Sequence, residues 1–225
     1  MQAIAAENNL SETAFFMRAG DCYDLRWFTP GREVDLCGHA TLATAFVIFE
    51  YFDRTADLLR FQTRSGELRV RRDGHLLAMD FPARPPRKCE PHAALEKALG
   101  KPPRELWLSR DYMAVYDSEE EIRSLAPDLH ALAAIDCFAC IVTAPGKEAD
   151  FVSRFFAPGS GIAEDPVTGS AHCTLVPYWA ARLGKTAFRA LQVSARGGEL
   201  VCELQGDRVS ISGRAVRYLE GSIFI

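Results

Sequence analysis

The stretch that decides the fold is Glu164-Asp-Pro-Val-Thr-Gly-Ser-Ala171, which leads into a long and largely apolar segment. A related stretch, Asp35-Leu-Cys-Gly-His-Ala40, leads into a second apolar segment in the first half of the chain. A Phe-x-Pro-Gly turn precedes each stretch, at 28–31 and 156–159, and a Gly-Glu-Leu turn follows each apolar segment. A chain that repeats a pattern at half-length is expected to fold as two similar lobes.

Composition is that of an ordinary globular chain: 225 residues, 48% hydrophobic and 25% charged. A net charge of −4 offers no basic face, so nucleic acid is not an expected partner. No apolar run approaches the roughly 18 residues of a membrane span, and residues 1–7 lack the basic start of a leader, so no membrane contact is expected. Seven cysteines without a regular framework favour the reducing cytoplasm over secretion.

The two apolar segments are predicted to be helices, over 38–52 and 168–183. The first is nearly uncharged, and a helix that is apolar on every side is expected to be buried. The class is therefore α+β with an internal duplication: two pseudo-symmetric lobes, each a curled mixed or antiparallel sheet around one buried helix. The predicted strands lie at 22–28, 58–62, 67–71, 76–81, 135–143, 151–156 and in several pieces across 188–225.

The boundary between the lobes is predicted at residues 82–91, a segment stiffened by four prolines. We therefore expect an N-terminal lobe over 1–86 and a C-terminal lobe over 87–225, with the last strand crossing to the first lobe as an alternative. Beyond the boundary, Ser118-Glu-Glu-Glu121 has the spacing of a capping box and predicts a helix start.

Each predicted buried helix opens on a glycine after a loop, in Gly38-His-Ala40 and in Gly169-Ser-Ala171. A helix N-terminus presents unpaired N–H groups and the positive end of the helix dipole, and glycine lets a ligand approach closely. Ordinary helix starts with small packing residues are the alternative for either copy alone. Two copies, each with a titratable group alongside (His39 and Asp165), favour a carboxylate or phosphate site.

Glu12 stands between an Asn-Leu-Ser turn and the apolar run 13–17. A carboxyl group at such a boundary can be half-buried and suited to general acid–base catalysis. A solvated loop glutamate is the interpretation that the residues alone favour.

Four motifs together resemble the PhzF-like, or phenazine biosynthesis-like, family on the diaminopimelate epimerase fold; they lie at 9–13, 26–30, 36–41 and 164–171. Their order and spacing extend the resemblance over the whole chain to Ile225. The resemblance implies two pseudo-symmetric lobes with the active site in the cleft between them. It also implies isomerisation of a small carboxylate molecule by removal and return of a proton, with no cofactor and no metal.

The resemblance assigns the catalytic roles to Glu12, His39 and Asp165. Glu12 would carry the proton between two carbons of the bound acid, and the helix starts would stabilise the charge that develops on the carboxylate. The substrate-binding positions that it implies are Gly38, Ala40, Thr168, Gly169 and Ser170.

The family normally begins with about 30 further residues that form strands, and the absence of such a segment is expected to expose sheet edges in the first lobe. Pairing of such edges makes a homodimer an expected assembly. Two other functions stay open: a non-catalytic protein that binds a small anion, and an inactive truncated product.

Cysteine chemistry is predicted to play little part. Cys37 occupies the place where the related two-cysteine epimerases carry a catalytic thiol, but Asp165 in the other half has no matching thiol beside it, so packing is the preferred role. Cys137 and Cys140 match C-x-x-C, but on the predicted strand their side chains would face opposite ways. Neither zinc binding nor redox chemistry is therefore expected there. His172, inside the second helix, is expected in the core or the cleft wall.

Overall fold

A computed structural model describes residues 1–224. The chain forms two compact units: one contains Met1–Asp80 and the C-terminal residues from Ser212, the other contains Phe81–Ile211. None of the helices within 1–224 combines the length and the apolar character needed to cross a membrane.

The first unit places one main helix between two parallel neighbouring strands. Its elements are α1 (Gln2–Asn8), β1 (Thr13–Ala19), β2 (Cys22–Phe28), β3 (Glu33–Val34), α2 (Gly38–Val47), a π-helical turn (Ile48–Phe52), β4 (Leu58–Thr63), β5 (Gly66–Asp73) and β6 (Leu76–Pro82). Strand β2 pairs antiparallel with β1 and parallel with β4, so that helix α2 forms the crossover between β2 and β4. Strands β4, β5 and β6 continue as an antiparallel meander.

Helix α2 buries one face and not its whole circumference. The prediction of burial on every side is wrong, because Ala43 and Val47 are exposed on the helix and Phe52, in its last turn, is 65% exposed. The turn widens there, because the Asp53 N–H donates to the Ile48 carbonyl at 2.7 Å, five residues back. The wider turn shifts the helical phase and moves the last aromatic residues off the buried face. The buried positions are Ala40, Thr41, Thr44, Ala45, Ile48 and Phe49.

The second unit has more elements than the first. They are β7 (Arg87–Lys88), α3 (Ala93–Leu99), β8 (Glu105–Leu108), β9 (Tyr112–Val115), α4 (Glu119–Ser124), α5 (Leu129–Ala133), β10 (Cys140–Pro145), β11 (Phe151–Ala157), a 3-10 turn (Pro158–Ser160), β12 (Ile162–Asp165), α6 (Gly169–Leu183), β13 (Ala187–Gln192), β14 (Gly198–Gln205) and β15 (Arg208–Gly213). The strand order is β15-β14-β13-β11-β10-β9-β8-β7, with β12 paired to β11.

The sequence repeat is confirmed as a structural repeat. In the second unit β10 and β11 form an antiparallel pair, β12 adds to β11, and α6 crosses over to β13, which is parallel to β11. Strands β13 and β14 then form an antiparallel hairpin. The same series occurs in the first unit as β1, β2, β3, α2, β4 and β5. In the second unit the elements from β7 to α5 precede this series, and α5 comes before β10 as α1 comes before β1.

Helix α6 is the centre of the second unit. It is buried over most of its circumference, and the ring of Trp179 stacks on Phe151 of β11 at 5.7 Å and 5°. This helix fits the predicted span to within one residue, because Thr168 is its N-cap and Leu183 its last residue.

Two strand predictions are wrong in part. The strand expected over 135–143 begins only at Cys140, because residues 135–138 form bends in which the Cys137 N–H donates to the Ile135 carbonyl. Cys137 is therefore not on the strand at all. Residues 214–224 form no strand, and Tyr218 is 97% exposed; Ile225 lies outside the described residues.

Two smaller predictions concern the second unit. The capping box is confirmed, since the Glu121 N–H donates to the Ser118 hydroxyl while the Glu121 carboxylate accepts from the Ser118 N–H. The predicted linker 82–91 contains β7, which pairs with β8 and is therefore part of the sheet.

The core position of α6 can be tested by removing one buried side chain. Leu175 is fully buried, so Leu175→Ala is expected to lower the free energy of unfolding by about 2–5 kcal/mol. Leu183, exposed on the same helix, supplies the control, and Leu183→Ala should change it by less than about 0.5 kcal/mol. Urea denaturation measures both, and equal losses in the two variants would contradict this packing.

Candidate functional site

Glu12 and His39 meet in the first unit at the start of α2. The Glu12 Oε2 atom lies 2.9 Å from the His39 Nε2 atom. The Glu12 side chain is 9% exposed and that of His39 is 32% exposed. The interpretation of Glu12 as a solvated loop residue is therefore wrong: it is a nearly buried carboxyl group against a histidine.

The turn before Glu12 follows from the end of α1. Asn9 closes the helix in the left-handed conformation, at φ 49°, which asparagine tolerates better than most residues. At the other end of α1, the Gln2 side-chain amide donates to the carbonyl oxygens of Thr29 and Pro30. These contacts fix the short helix to the turn after β2 and so fix where the chain enters β1.

Cys37 is the third member of this group. Its Sγ atom lies 3.6 Å from Nε2 and 3.8 Å from Nδ1 of His39. It is the N-cap of α2, and its carbonyl oxygen accepts from the hydroxyl of Thr41 at 2.6 Å. Cys37 is buried, as a packing residue would be, but it also contacts the proposed catalytic histidine.

The electrostatics of the group favour a charged imidazole. Burial disfavours the charge, but the contacts with Cys37 and Glu12 outweigh it and raise the pKa of His39 from 6.5 to about 11. Burial also raises the pKa of the Cys37 thiol. These contacts therefore favour the imidazolium form of His39 beside Glu12 at neutral pH.

The backbone of the first turn of α2 adds polar groups. The amides of Gly38 and Ala40 belong to the helix start, where no preceding turn supplies acceptors. The Ala40 amide interacts with the Cys37 thiol, so its part in any substrate contact is shared with that side chain.

The second unit holds Asp165 and Thr168 in one buried network. The Thr168 hydroxyl donates to the Asp165 carboxylate at 2.6 Å. The Gln192 side chain accepts from the Thr168 N–H at 2.8 Å and donates to the Asp165 carbonyl at 2.6 Å. Both hydrogen-bond donors of Thr168 are thus used inside the unit. This geometry favours a positioning role for Thr168 over the direct substrate contact expected from the sequence.

Gln192 was missed by sequence reasoning, although a signal exists. Strand β13 has buried side chains at every second position, Phe188, Ala190 and Gln192. An amide on the buried face of a strand must find hydrogen-bond partners, because an unpaired polar group there costs free energy. The presence of Gln192 at a buried position of β13 was therefore the feature of the sequence that could have predicted these hydrogen bonds.

His172 is a core residue, one of the two locations expected for it. Its Nδ1 atom lies 2.8 Å from the Thr168 carbonyl oxygen, which can only accept, so Nδ1 carries the hydrogen. Burial lowers the pKa of His172 to about 4, and the ring stays neutral. His172 thus supports the start of α6 from inside the unit.

The start of α6 carries a positive charge next to its amides. The Arg110 guanidinium lies 3.3 Å from the Ser170 hydroxyl and forms two hydrogen bonds with the buried carboxylate of Asp111. A Cβ atom added at Gly169 would meet nothing within 4 Å, so packing does not require glycine there. The dipole of this 15-residue helix favours an anion at this end, and the Arg110 guanidinium, although it is paired with Asp111, offers a further donor there. The link between Arg110 and Ser170 has no local signal in the sequence.

The predicted site residues thus fall into two groups, one in each unit. The first group contains Glu12, Gly38, His39 and Ala40, and the second contains Asp165, Thr168, Gly169 and Ser170.

Comparison with known proteins gives one consistent result. The family model described as phenazine biosynthesis-like protein matches residues 1–221. An uncharacterized isomerase of Pseudomonas aeruginosa is 54% identical over 224 residues, which covers 99% of this chain and 86% of the relative. A PhzF-family phenazine biosynthesis protein of Enterococcus faecalis has a similar crystal structure, with a TM-score of 0.97 at 48% identity, covering 100% of this chain and 86% of that one.

A more distant likeness bears on the fold alone. A hydroxyproline epimerase from Agrobacterium vitis has a TM-score of 0.61 at 12% identity and covers 93% of this chain and 74% of its own. The predicted fold class, two similar α+β units of the diaminopimelate epimerase type, is confirmed.

The state of His39 can be tested by NMR titration. The His39 imidazole should titrate well above 6.5, and Glu12→Gln should bring its pKa down because the neighbouring carboxylate is lost. The exposed Glu7, on α1, supplies the control, and Glu7→Gln should leave the titration unchanged. An unchanged pKa of His39 in Glu12→Gln would contradict the interaction.

The same shift has a consequence for stability. Because the folded-state pKa of His39 lies above its unfolded value near 6.5, the interaction stabilises fully below pH 6.5 and is lost as the pH rises toward about 11. Between pH 6.5 and about 11, the free energy of unfolding measured by urea denaturation should therefore fall more steeply with rising pH in the wild type than in Glu12→Gln.

The hydrogen bonds of Gln192 with Thr168 and Asp165 predict that a substitution at Gln192 lowers the free energy of unfolding. Gln192→Leu leaves the Thr168 N–H and the Asp165 carbonyl without this partner, at a cost of about 1–3 kcal/mol for each group that stays buried and unpaired. Gln205, exposed at the end of β14, is the matched control and should tolerate the same change. If Gln192→Leu and Gln205→Leu have the same free energy of unfolding, the hydrogen bonds of Gln192 do not stabilise the folded chain.

Proposed function

The chain belongs to the phenazine biosynthesis-like (PhzF) family, and on that premise we propose that it is an isomerase that moves a proton on a small carboxylate substrate without a cofactor. Family membership and the relatives named isomerases support the reaction class. The substrate class and the route of the proton are our inference from the residues.

One observation supports the proposed proton route above all: the nearly buried Glu12 carboxylate lies 2.9 Å from the His39 imidazole. A carboxylate in this setting can take a proton from a carbon of the bound acid and return it to a second carbon. The imidazolium of His39 can stabilise the negative charge that develops while the proton is on Glu12. The proton returns to the substrate, so that the carboxylate is regenerated in each cycle.

The substrate carboxylate is assigned to the helix starts. In the second unit we assign it to the amides of Gly169 and Ser170, next to the Arg110 guanidinium. In the first unit, the α2 amides of Gly38 and Ala40 are a separate candidate for binding an anionic group. Asp165 completes the proposed set of catalytic residues. Residues of the second unit are assigned to this reaction because they belong to the family's motif at 164–171.

Two further features belong to the proposal. A cytoplasmic location fits a chain whose seven cysteines are all free thiols. A homodimer fits the position of β1 at the end of the strand order within the described residues, since an end strand can pair with a second copy.

A second candidate function is supported by the start of α6. Arg110, the helix dipole and the open space at Gly169 would suit a protein that binds a small anion without turning it over. Such a protein should gain thermal stability with a carboxylate ligand while no exchange occurs at any carbon of that ligand.

Solvent exchange separates the two functions. In D₂O, the wild-type protein should introduce deuterium into at least one member of a panel of amino and cyclic carboxylic acids. Glu12→Gln should slow this exchange by about 10²–10⁴-fold, because the acid–base group is gone. The surface variant Glu7→Gln should retain it. Equal exchange in the wild type and Glu12→Gln would remove Glu12 from the mechanism.

A further inference from the structure

The loop that leads into α6, residues 165–168, is contacted by the β13–β14 hairpin at each of its residues. Gln192, at the end of β13, binds the first and the last of these residues through its side-chain amide. The hydroxyl of Ser194, in the turn of the hairpin, donates to the carbonyl oxygen of Pro166 at 2.9 Å. The same hydroxyl accepts from the Gly197 N–H at 3.0 Å, and this second contact fixes the direction of the first.

The remaining residue of the loop, Val167, packs against Gly198 at the start of β14. A Cβ atom added to Gly198 would lie 2.7 Å from both the Cβ and the Cγ2 atoms of Val167, whereas carbon atoms in contact are about 3.5–4.0 Å apart. Because the Val167 Cβ atom is bonded to the backbone, rotation of the side chain cannot relieve this contact, and the loop or the strand would have to shift. The φ angle of Gly198 is not in the left-handed region, so the close approach of the loop requires glycine here.

The first unit has a corresponding contact. Ser65, in the turn between β4 and β5, donates its hydroxyl to the Asp35 carbonyl oxygen at 2.8 Å. Asp35 stands three residues before the glycine that opens α2, and Pro166 stands three residues before the glycine that opens α6. The Gly-Glu-Leu sequences of the repeat open β5 and β14, the second strands of these two hairpins. The two hairpins therefore bind the same backbone position of the two loops, although their turns differ in length and sequence.

We propose that Ser194 and Gly198 are positioning residues for the isomerisation and act through the loop 165–168. The loop carries the Asp165 side chain at its start and leads directly into the first amides of α6. Residues 166–168 lie in neither a helix nor a strand, so the place of the loop depends on the hairpin. Catalytic groups and amide donors act most strongly when they are fixed before the substrate binds, and a displacement of about 1 Å can cost about 10²-fold in rate.

The two residues fix different features of the loop. Gly198 leaves room for Val167 and so sets the distance between the hairpin and the loop. Ser194 binds the Pro166 carbonyl oxygen and so sets the orientation of the peptide group that follows Pro166. The effect on the reaction rests on the proposed function, whereas the binding of the loop by the hairpin does not.

Amide hydrogen exchange of the full chain, followed by NMR, tests the positioning without any substrate. The Thr168 N–H is buried and donates to the Gln192 side chain, so it should exchange slowly in the wild type. Gly198→Ala should speed its exchange by at least about tenfold, because the displaced Val167 draws the Thr168 N–H away from Gln192.

Two controls separate a local effect from a general loss of stability. The Val142 amide, in the buried strand β10, reports unfolding of the whole unit and should change less than the Thr168 amide. At Gly159 an added Cβ atom would meet only the Ala133 carbonyl oxygen, at an ordinary 3.6 Å, so Gly159→Ala should leave both amides as in the wild type. The proposal is overturned if Gly198→Ala accelerates Thr168 and Val142 equally, or if it does not accelerate Thr168 at all.

Deuterium incorporation from D₂O tests the effect on the reaction. With an acid of the panel that the wild type exchanges, Ser194→Ala should lower kcat by roughly tenfold, and Ser194→Thr, which keeps the hydroxyl, should recover most of it. Ser124, at the end of α4, supplies the matched control, since its hydroxyl also donates to a carbonyl oxygen, that of Glu121. Ser124→Ala should exchange as the wild type does. Rates are compared well below the unfolding temperature of every variant, so a serine that merely stabilised the fold would leave kcat unchanged.

The outcomes separate the positioning role from the proposed function. If Ser194→Ala is as active as Ser124→Ala, or if Ser194→Thr loses as much activity as Ser194→Ala, the positioning role is overturned while the isomerase stands. If the wild type exchanges none of the acids, the isomerase fails and the positioning role in that reaction fails with it. Hydrogen exchange at Thr168 then still decides whether the hairpin fixes the loop.

Discussion

The contact between the Glu12 carboxylate and the His39 imidazole is the interaction on which the proposed chemistry of this chain depends. It requires three local structures to agree: the turn that ends α1 at Asn9, the entry into β1, and the start of α2. The contact also sets the charge state, since Glu12 and Cys37 together overcome the burial that would otherwise keep His39 neutral. A single pair of side chains thus joins the fold of the first unit to its proposed proton transfer.

The two units use their repeated helix starts differently. In the first unit the helix start carries titratable side chains, and the backbone amides share their space with Cys37. In the second unit the polar groups before α6 bind to one another through Gln192, and a cation, Arg110, lies at the Ser170 hydroxyl. We therefore propose different roles for the two helix starts, proton transfer at α2 and anion binding at α6.

The sequence was sufficient for what depends on local pattern. The repeat, helix α6, the capping box at Ser118 and strand β2 follow from periodicity, caps and turns, which involve residues close in the chain. The π-helical turn after α2 and the bends before β10 were missed, because each depends on the tertiary surroundings of a segment whose composition suits a regular element. Periodicity alone cannot show where such an element stops.

The candidate site, like the fold, could be predicted from the sequence only in part. Glu12, His39 and Asp165 come from motifs that the resemblance identifies, while the contacts of Arg110 with Ser170 and of Gln192 with Thr168 join residues far apart in the chain. The central claim is that Glu12 itself carries the proton, and transfer of a label within one substrate molecule tests it most directly. With a substrate deuterated at the carbon that loses the proton, in H₂O, the wild type should deliver part of the deuterium to the second carbon, and Glu12→Gln should deliver none. Transfer that continues in Glu12→Gln would contradict the account.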